Sequence, residues 1–402
     1  VSESVRHNLD LLAARYAVPM ARADEITAGL WGNPSLQGDT QFEPFGANWN
    51  QTSSGGPKEF DLGLSLPLDL SGKRSAAVDS AKAATRIAEL GLLDALRQKV
   101  LQVRQGYIDV VDRQSQAALA QEKVGDYEKL VHILENRIGR RPVRPLLLNR
   151  AHLARDQARM DLRQRRSDLV NAKTALAVLL GRRPTENAFE ASSTLRDFQL
   201  QNAPDKARVV AEALANRPDL LALRESVAKA DLDLRLARRQ IWDDFSVTFT
   251  LSSQGPESSN PSDPDAGTVP QAYSWDSALS IPLPVFDHNQ GNIKKAGLTR
   301  QQSEAQERSL ELSIEEELGE DLEQLKVGRS LIMEYESTQI KEARQVRDAE
   351  QTQFGTGNIE LLDYFDAMEA YNSVLSSYYD AVAGYRKALA QLSASIGEES
   401  FR

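Results

Sequence analysis

Phe60-Asp61-Leu62-Gly63-Leu64-Ser65-Leu66-Pro67-Leu68-Asp69-Leu70 alternates without a break. Each even position is apolar, and each odd one is small or polar. A period of two gives a strand with one apolar face and one polar face. Ser71-Gly72 then opens a run from Lys73 to about Arg137 that contains no proline. Within it Leu96, Val100, Val103, Tyr107 and Val110 step by four and three, a heptad-type seam. At 1.5 Å per residue that helix would be roughly 95 Å long. A short greasy strand therefore feeds directly into a very long helix.

The same sentence is written a second time. Phe245, Val247, Phe249 and Leu251 alternate, and Tyr273, Trp275, Leu279, Ile281 and Leu283 form a returning strand. Ser280-Ile281-Pro282-Leu283-Pro284-Val285-Phe286 and Gln290-Gly291-Asn292 open another proline-free helix, to about Gln353. Gly139 and Gly355 are 216 residues apart, as are Gly181 and Gly397. Ala151 and Ala367, Ala154 and Ala370, Ala172 and Ala388, and Leu176 and Leu392 share that offset. A solenoid unit is far shorter, so this is a duplicated strand–strand–helix–helix module. The first repeat covers 1–181, with a helix, a β-hairpin at 35–70 and a long helix pair at 73–181. A linker subdomain with Pro184 and Pro204 covers 182–216. The second repeat covers 217–397, with a helix, a hairpin at 244–284 and a helix pair at 291–397; a tail of 398–402 follows. The first helix, to about Trp31, is expected to kink at Pro19. Gly181 is expected to cap the end of a helix.

Composition narrows the classes. The 402 residues are 41% hydrophobic and 26% charged, with net charge −10. Such an acidic balance argues against a nucleic-acid partner, which needs a concentrated basic face. With no cysteine there are no disulfides, no thiol chemistry and no thiolate metal site. Residue 1 is Val and no charged-then-apolar leader follows, which reads as a trimmed form whose signal peptide is no longer visible. No apolar run approaches the ~20 residues of a membrane helix; barrel strands, short and alternating, remain open. His7, His132, His152 and His288 show no metal-ligand spacing. Phe354-Gly355-Thr356-Gly357 has Glu360 where a nucleotide fingerprint needs its third glycine. No nucleophile–base pair stands out. The expectation is a protein that is not an enzyme, with no cofactor and no fixed metal site.

Four strands with one apolar face cannot close a barrel, which takes about eight. An open apolar sheet is an aggregation hazard. Several copies must therefore contribute to one sheet.

The duplicated plan, the strand-to-helix junctions and the reversal Phe354-Gly355-Thr356-Gly357 followed by Asp363-Tyr364-Phe365-Asp366-Ala367 resemble the TolC family of outer-membrane efflux factors. The resemblance covers essentially the whole chain. It implies a mainly α protein with a small β part. Three copies would build a 12-strand β-barrel in the outer membrane, joined to a 12-helix tunnel in the periplasm. The junctions Leu70-Ser71-Gly72-Lys73-Arg74 and Pro282-Leu283-Pro284-Val285-Phe286-Asp287-His288-Asn289-Gln290-Gly291 are similar to the heavy-metal branch, which includes the outer-membrane component of cobalt–zinc–cadmium exporters. The implied function is a passive export duct for divalent heavy-metal cations. Its implied partners are a homotrimer, a periplasmic adaptor, an inner-membrane pump of the resistance-nodulation-division type, and outer-membrane lipid. Two departures bear on closure. The latch tyrosine and arginine of well-known members correspond here to Phe354 and Ile359, and a latch aspartate to Leu147.

Site expectations follow. Asp363 and Asp366, three apart, lie near one helical face. On a tunnel lined by three copies they make stacked acidic rings, which favour cations; paired acids otherwise mark a solvated helix face. Phe354, Gly357, Ile359 and Leu147 are the tip-closure candidates. Arg137, Arg140, Arg141 and Arg144, with Arg150, cluster at the other reversal. They read either as an adaptor-docking surface or as cations favouring a helix C-terminus. Rival readings are an outer-membrane factor for drugs or type I secretion, a periplasmic adaptor, and a soluble coiled-coil scaffold. An adaptor carries one hairpin and compact β domains, and a scaffold has no use for a greasy four-strand sheet.

Overall fold

The computed structural model describes the chain apart from residues 42–58, 139–144, 187, 193, 196–197, 255–256, 259–267, 357–359 and 398–402. It is mainly helical. In chain order the elements are α1 (Ser2–His7), α2 (Leu9–Arg15), α3 (Ala17–Gly29), β1 (Ser35–Gln41), β2 (Glu59–Leu68), α4 (Lys73–Ile138), α5 (Pro145–Leu179), α6 (Lys206–Asn216) and α7 (Pro218–Arg239). They continue with β3 (Phe245–Gln254), β4 (Glu257–Ser258), β5 (Thr268–Val269), β6 (Ala272–Ser280), α8 (Gln290–Glu334), a π-helical turn at Tyr335–Gln339, α9 (Ile340–Thr356) and α10 (Leu361–Ile396). Cα packing divides them into two compact units. One holds Val1–Val18, Glu89–Ala222 and Glu307–Arg402; the other holds Pro19–Ala88 and Leu223–Gln306. Each unit draws on both sequence repeats.

In the sheet unit, β1-β2-β3-β6 form one antiparallel sheet. The central pair, β2 with β3, joins the two repeats, with Leu62 opposite Leu251, Leu64 opposite Phe249 and Leu66 opposite Val247. Leu251 in turn faces Trp275 and Val247 faces Leu279. Side chains of a strand alternate between faces, so this register gathers the leucines, Phe249, Tyr273 and Trp275 on one side. That side is open: Phe60 is 57% exposed, Leu62 52% and Trp275 77%. The opposite, polar side is more sheltered, with Ser252 at 7% and Gly63 buried. The sheet therefore has an exposed apolar face and a more sheltered polar face.

The strand-to-helix junctions explain why such long helices start where they do. Gly72 and Asn289 both take the left-handed backbone conformation (φ 72° and 57°). Asp69 accepts from the backbone N–H groups of Gly72 (2.9 Å), Lys73 (3.2 Å) and Arg74 (2.9 Å), satisfying the free donors at the start of α4. Asn289 instead donates its side-chain amide to the Ala237 carbonyl at 2.7 Å.

The helical unit is built on the heptad faces. Val103, Val110, Val111, Ile314, Leu318, Leu325, Tyr378, Val382 and Tyr385 are buried in one apolar core. The α5 helix ends in a Schellman motif: Gly181 has φ 81°, and the Arg182 N–H reaches back to the Ala177 carbonyl at 2.9 Å. A Cβ at Gly181 would also lie 2.4 Å from the His7 carbonyl oxygen, so glycine is required there twice over.

Two expectations need correction. The N-terminal stretch is not one helix kinked at Pro19. It breaks at Asn8, whose side chain caps α2 by accepting from Asp10 and Leu11, and again at Tyr16. Pro19 then falls in the first turn of α3, where its missing N–H costs nothing. Nor is the second long helix continuous to Gln353, because the π turn at Tyr335–Gln339 interrupts it.

Candidate functional site

At the reversal end of the helical unit, the helix ends are held by aromatic packing. Phe354, 7% exposed near the end of α9, stacks face to face on Tyr364 of α10, with ring centroids 5.5 Å apart and an 8° interplanar angle. Tyr127 of α4 meets Phe365 at 5.7 Å. Leu130, Leu134, Ala151, Leu361 and Met368 belong to the same buried cluster, and Leu147 packs against it. Offset aromatic pairs of this kind add about 0.5–1.5 kcal/mol beyond area burial. Burial pushes the Tyr127 hydroxyl up to about 12, so that ring stays neutral at ordinary pH. Nearby, the Arg347 guanidinium lies over the Tyr371 ring at 4.1 Å, a contact with no counterpart among the sequence candidates.

Of the predicted site residues, the structure brings Phe354 and Leu147 into this one cluster, which spans both helical hairpins. Asp363 and Asp366 are exposed on α10, while Tyr364 and Ala367 beside them turn inward. Asp363 sits in the first turn of its helix, where the dipole favours an anion. Gly357, Ile359, Arg140, Arg141 and Arg144 lie outside the described residues, as does the side chain of Arg137, whose backbone belongs to the last turn of α4.

A second set of acids was missed. On the polar face of the sheet, Asp39 stands directly opposite Asp61, and Glu59 and Asp276 lie on the same side. The four strands β1, β2, β3 and β6 contain no lysine or arginine. Like charges directly opposite each other are unfavourable in a sheet, and no cation on these strands offsets them. The signal was present in the odd positions of the opening alternation; only pairing shows that they converge.

Aromatics of the open face stand at both ends of β3, with Phe249 between them. Phe245, stacked near Trp242 at 6.3 Å, starts β3. Tyr273 pairs with Ser253, eight positions further along that strand. At ~3.4 Å per residue the two are roughly 27 Å apart, close to the apolar band of an outer-membrane barrel between its aromatic girdles. Among the described residues no helix is long and apolar enough to cross a membrane, which bears on helices alone.

Comparison with known proteins agrees with this architecture. Residues 1–182 and 209–398 match the family model "Outer membrane efflux protein". The chain is similar to the cobalt-zinc-cadmium resistance protein CzcC of Cupriavidus metallidurans, 24% identical over 76% of this chain and 69% of the relative. It is also similar to the cation efflux system protein CusC of Escherichia coli K12, 25% identical over 75% of this chain and 65% of the relative. The matched stretch thus spans about two thirds of the length of these curated relatives. Among solved structures, a crystal structure of CusC superimposes with a TM-score of 0.79 at 19% identity, covering 98% of this chain and 90% of that one. The Campylobacter jejuni CmeC outer membrane channel gives 0.77 at 16% identity, covering 100% and 86%. With the family model spanning both repeats and a sheet that leaves its apolar face exposed, the chain belongs to the outer membrane efflux protein family, whose members are TolC-like, non-enzymatic channels of the outer membrane.

Proposed function

We propose that three copies of this chain form a passive duct that exports divalent heavy-metal cations from the periplasm. The two-faced sheet carries this reading. Its outward face is apolar enough for lipid, and its inward face bears four carboxylates and no cation. Tripled, that face attracts cations and repels anions without needing a chelating site, which would hold the cargo back. Asp363 and Asp366 would add acidic rings near the tip, with Phe354, Gly357, Ile359 and Leu147 forming the closure. Because the contacts at Phe354 are aromatic, closure rests on packing rather than on a polar latch. Arg137, Arg140, Arg141 and Arg144 would face a periplasmic adaptor, and an inner-membrane pump of the resistance-nodulation-division type would supply the energy. The metal cargo is supported by the resistance and cation-efflux names of CzcC and CusC. Deletion of the gene tests it. Tolerance of zinc, cadmium, cobalt, copper or silver salts should fall while drug tolerance holds. The reverse pattern assigns the duct to drugs.

A further inference from the structure

A row of polar contacts runs between α4 and α10, the helices through which the two repeats meet in the helical unit. Gln105 donates to Gln391 at 3.2 Å, and Lys387 bonds Asp109. Gln116, 2% exposed, accepts from the Ser376 hydroxyl at 2.9 Å and donates to the Ser376 carbonyl (3.2 Å) and to Asp380 (3.3 Å). Lys123 pairs with Glu369 at 2.7 Å. Asp112 lies within this row and differs from its neighbours. It is 3% exposed, its Oδ1 has no hydrogen-bond partner, and its Oδ2 is 3.7 Å from the Arg113 guanidinium. A buried carboxylate so poorly matched is costly while charged.

Burial raises the Asp112 carboxyl to about 6. Arg113 on its own helix and Lys387 on α10 work against that rise; Asp380 on α10 and Asp109 on α4 add to it. Among the described residues these acids form no group able to hold a metal ion, so the ligand in question is a proton. The same turn of α10 has an irregular neighbour on its other side. Tyr378 donates its hydroxyl to Glu336 at 2.7 Å, and its ring meets Tyr335 at 6.2 Å. Both partners belong to the π turn. A π turn is a local irregularity at which a long helix bends.

We infer that this level of the molecule is a proton-operated joint. With Asp112 neutral, α10 stays packed on α4; when Asp112 ionises, water enters the seam and α10 loosens from α4, while Tyr378 keeps it tied to the π turn between α8 and α9. The sign follows from linkage. A carboxyl that titrates higher in the packed form takes up a proton on packing. Packing is therefore strongest in acid, weakens as pH rises from the ordinary carboxylate range toward 6, and is weakest above it. The consequence for conduction rests on the channel reading; the joint itself does not.

Hydrogen exchange of the full-length trimer in detergent, corrected for intrinsic rate, tests the joint between pH 4.5 and 7.5. Amides of 109–116 and 376–387 should exchange about tenfold faster at the upper end. Asp112→Asn should remain slow throughout. Should that variant fold poorly, Asp380→Asn provides the test, because removing a like charge should move the transition to lower pH. A flat wild-type profile, an Asp112→Asn profile parallel to the wild type, or an unmoved Asp380→Asn transition overturns the joint. An exchange response in protein that conducts no ions supports the joint and counts against the channel reading instead.

Discussion

Arg217 is 5% exposed and sits between two carboxylates, bonding Asp219 at 3.1 and 2.7 Å and Glu317 at 2.6 Å. The Ser395 hydroxyl lies within hydrogen-bond distance of both Glu317 (2.9 Å) and buried Asp321 (2.7 Å), so the knot ties the end of α10 to α7 and α8. Burial works to raise Asp219 and Glu317, but the hydrogen bonds and charge of Arg217 outweigh it and hold both below the usual range. Their contribution to stability is therefore present above the unfolded carboxylate values near pH 4 and is lost as pH falls through the folded ones. Arg217→Ala should cost about 3 kcal/mol at pH 7, the low end because Asp219 and Glu317 remain 22% and 34% exposed. The gap should narrow below pH 4, as denaturant titrations at both pH values would show; a pH-independent loss would mean that packing, not pairing, was removed. Phe354→Ala should cost a further ~3–5 kcal/mol locally and raise the resting conductance more than Leu147→Asp does. Equal or smaller leak from Phe354→Ala would put closure elsewhere. Phe354 and Leu147 were singled out together in the sequence, but the partners of Arg217 were not. In sequence Arg217 stands only at the first position of the second repeat, and Glu317 lies 100 residues away.

The alternation of β2 and β3 is the element that sequence reading handles best, since a period of two decides which side chains share a face before any partner is known. Leu64→Arg should destabilise the assembled barrel by about 2–4 kcal/mol if it lies near the midplane. Cysteine at Leu64 should react with a lipid-phase reagent and cysteine at Gly63 should not; the opposite labelling would show the faces reversed. By contrast β1, Ser-Leu-Gln-Gly-Asp-Thr-Gln, carries a single leucine and is a strand because β2 supplies its partner. The π turn Tyr-Glu-Ser-Thr-Gln was invisible, having no glycine or proline to mark it. The kink expected at Pro19 was misplaced for the opposite reason: the interruption falls three residues earlier, at Tyr16, and Pro19 sits harmlessly in the first turn of α3.

At the scale of the molecule, both repeats are needed for either compact unit: β2 pairs with β3 and α4 with α10. That interdependence explains why the duplication was legible and the packing partners were not, since a repeat predicts the same elements twice without saying which copy meets which. Four strands still leave two sheet edges, and only further copies close them. Mass measurement in mild detergent should therefore give three chains; a monomer with its full β content would contradict the barrel. The most direct test of the central claim is the reversal potential of the purified protein in a planar bilayer under a salt gradient. The account expects discrete conductance steps that are cation-selective, with selectivity and multivalent-cation block both reduced in Asp363→Asn/Asp366→Asn. Anion selectivity, or a well-inserted trimer that carries no current under any gating condition, would contradict it.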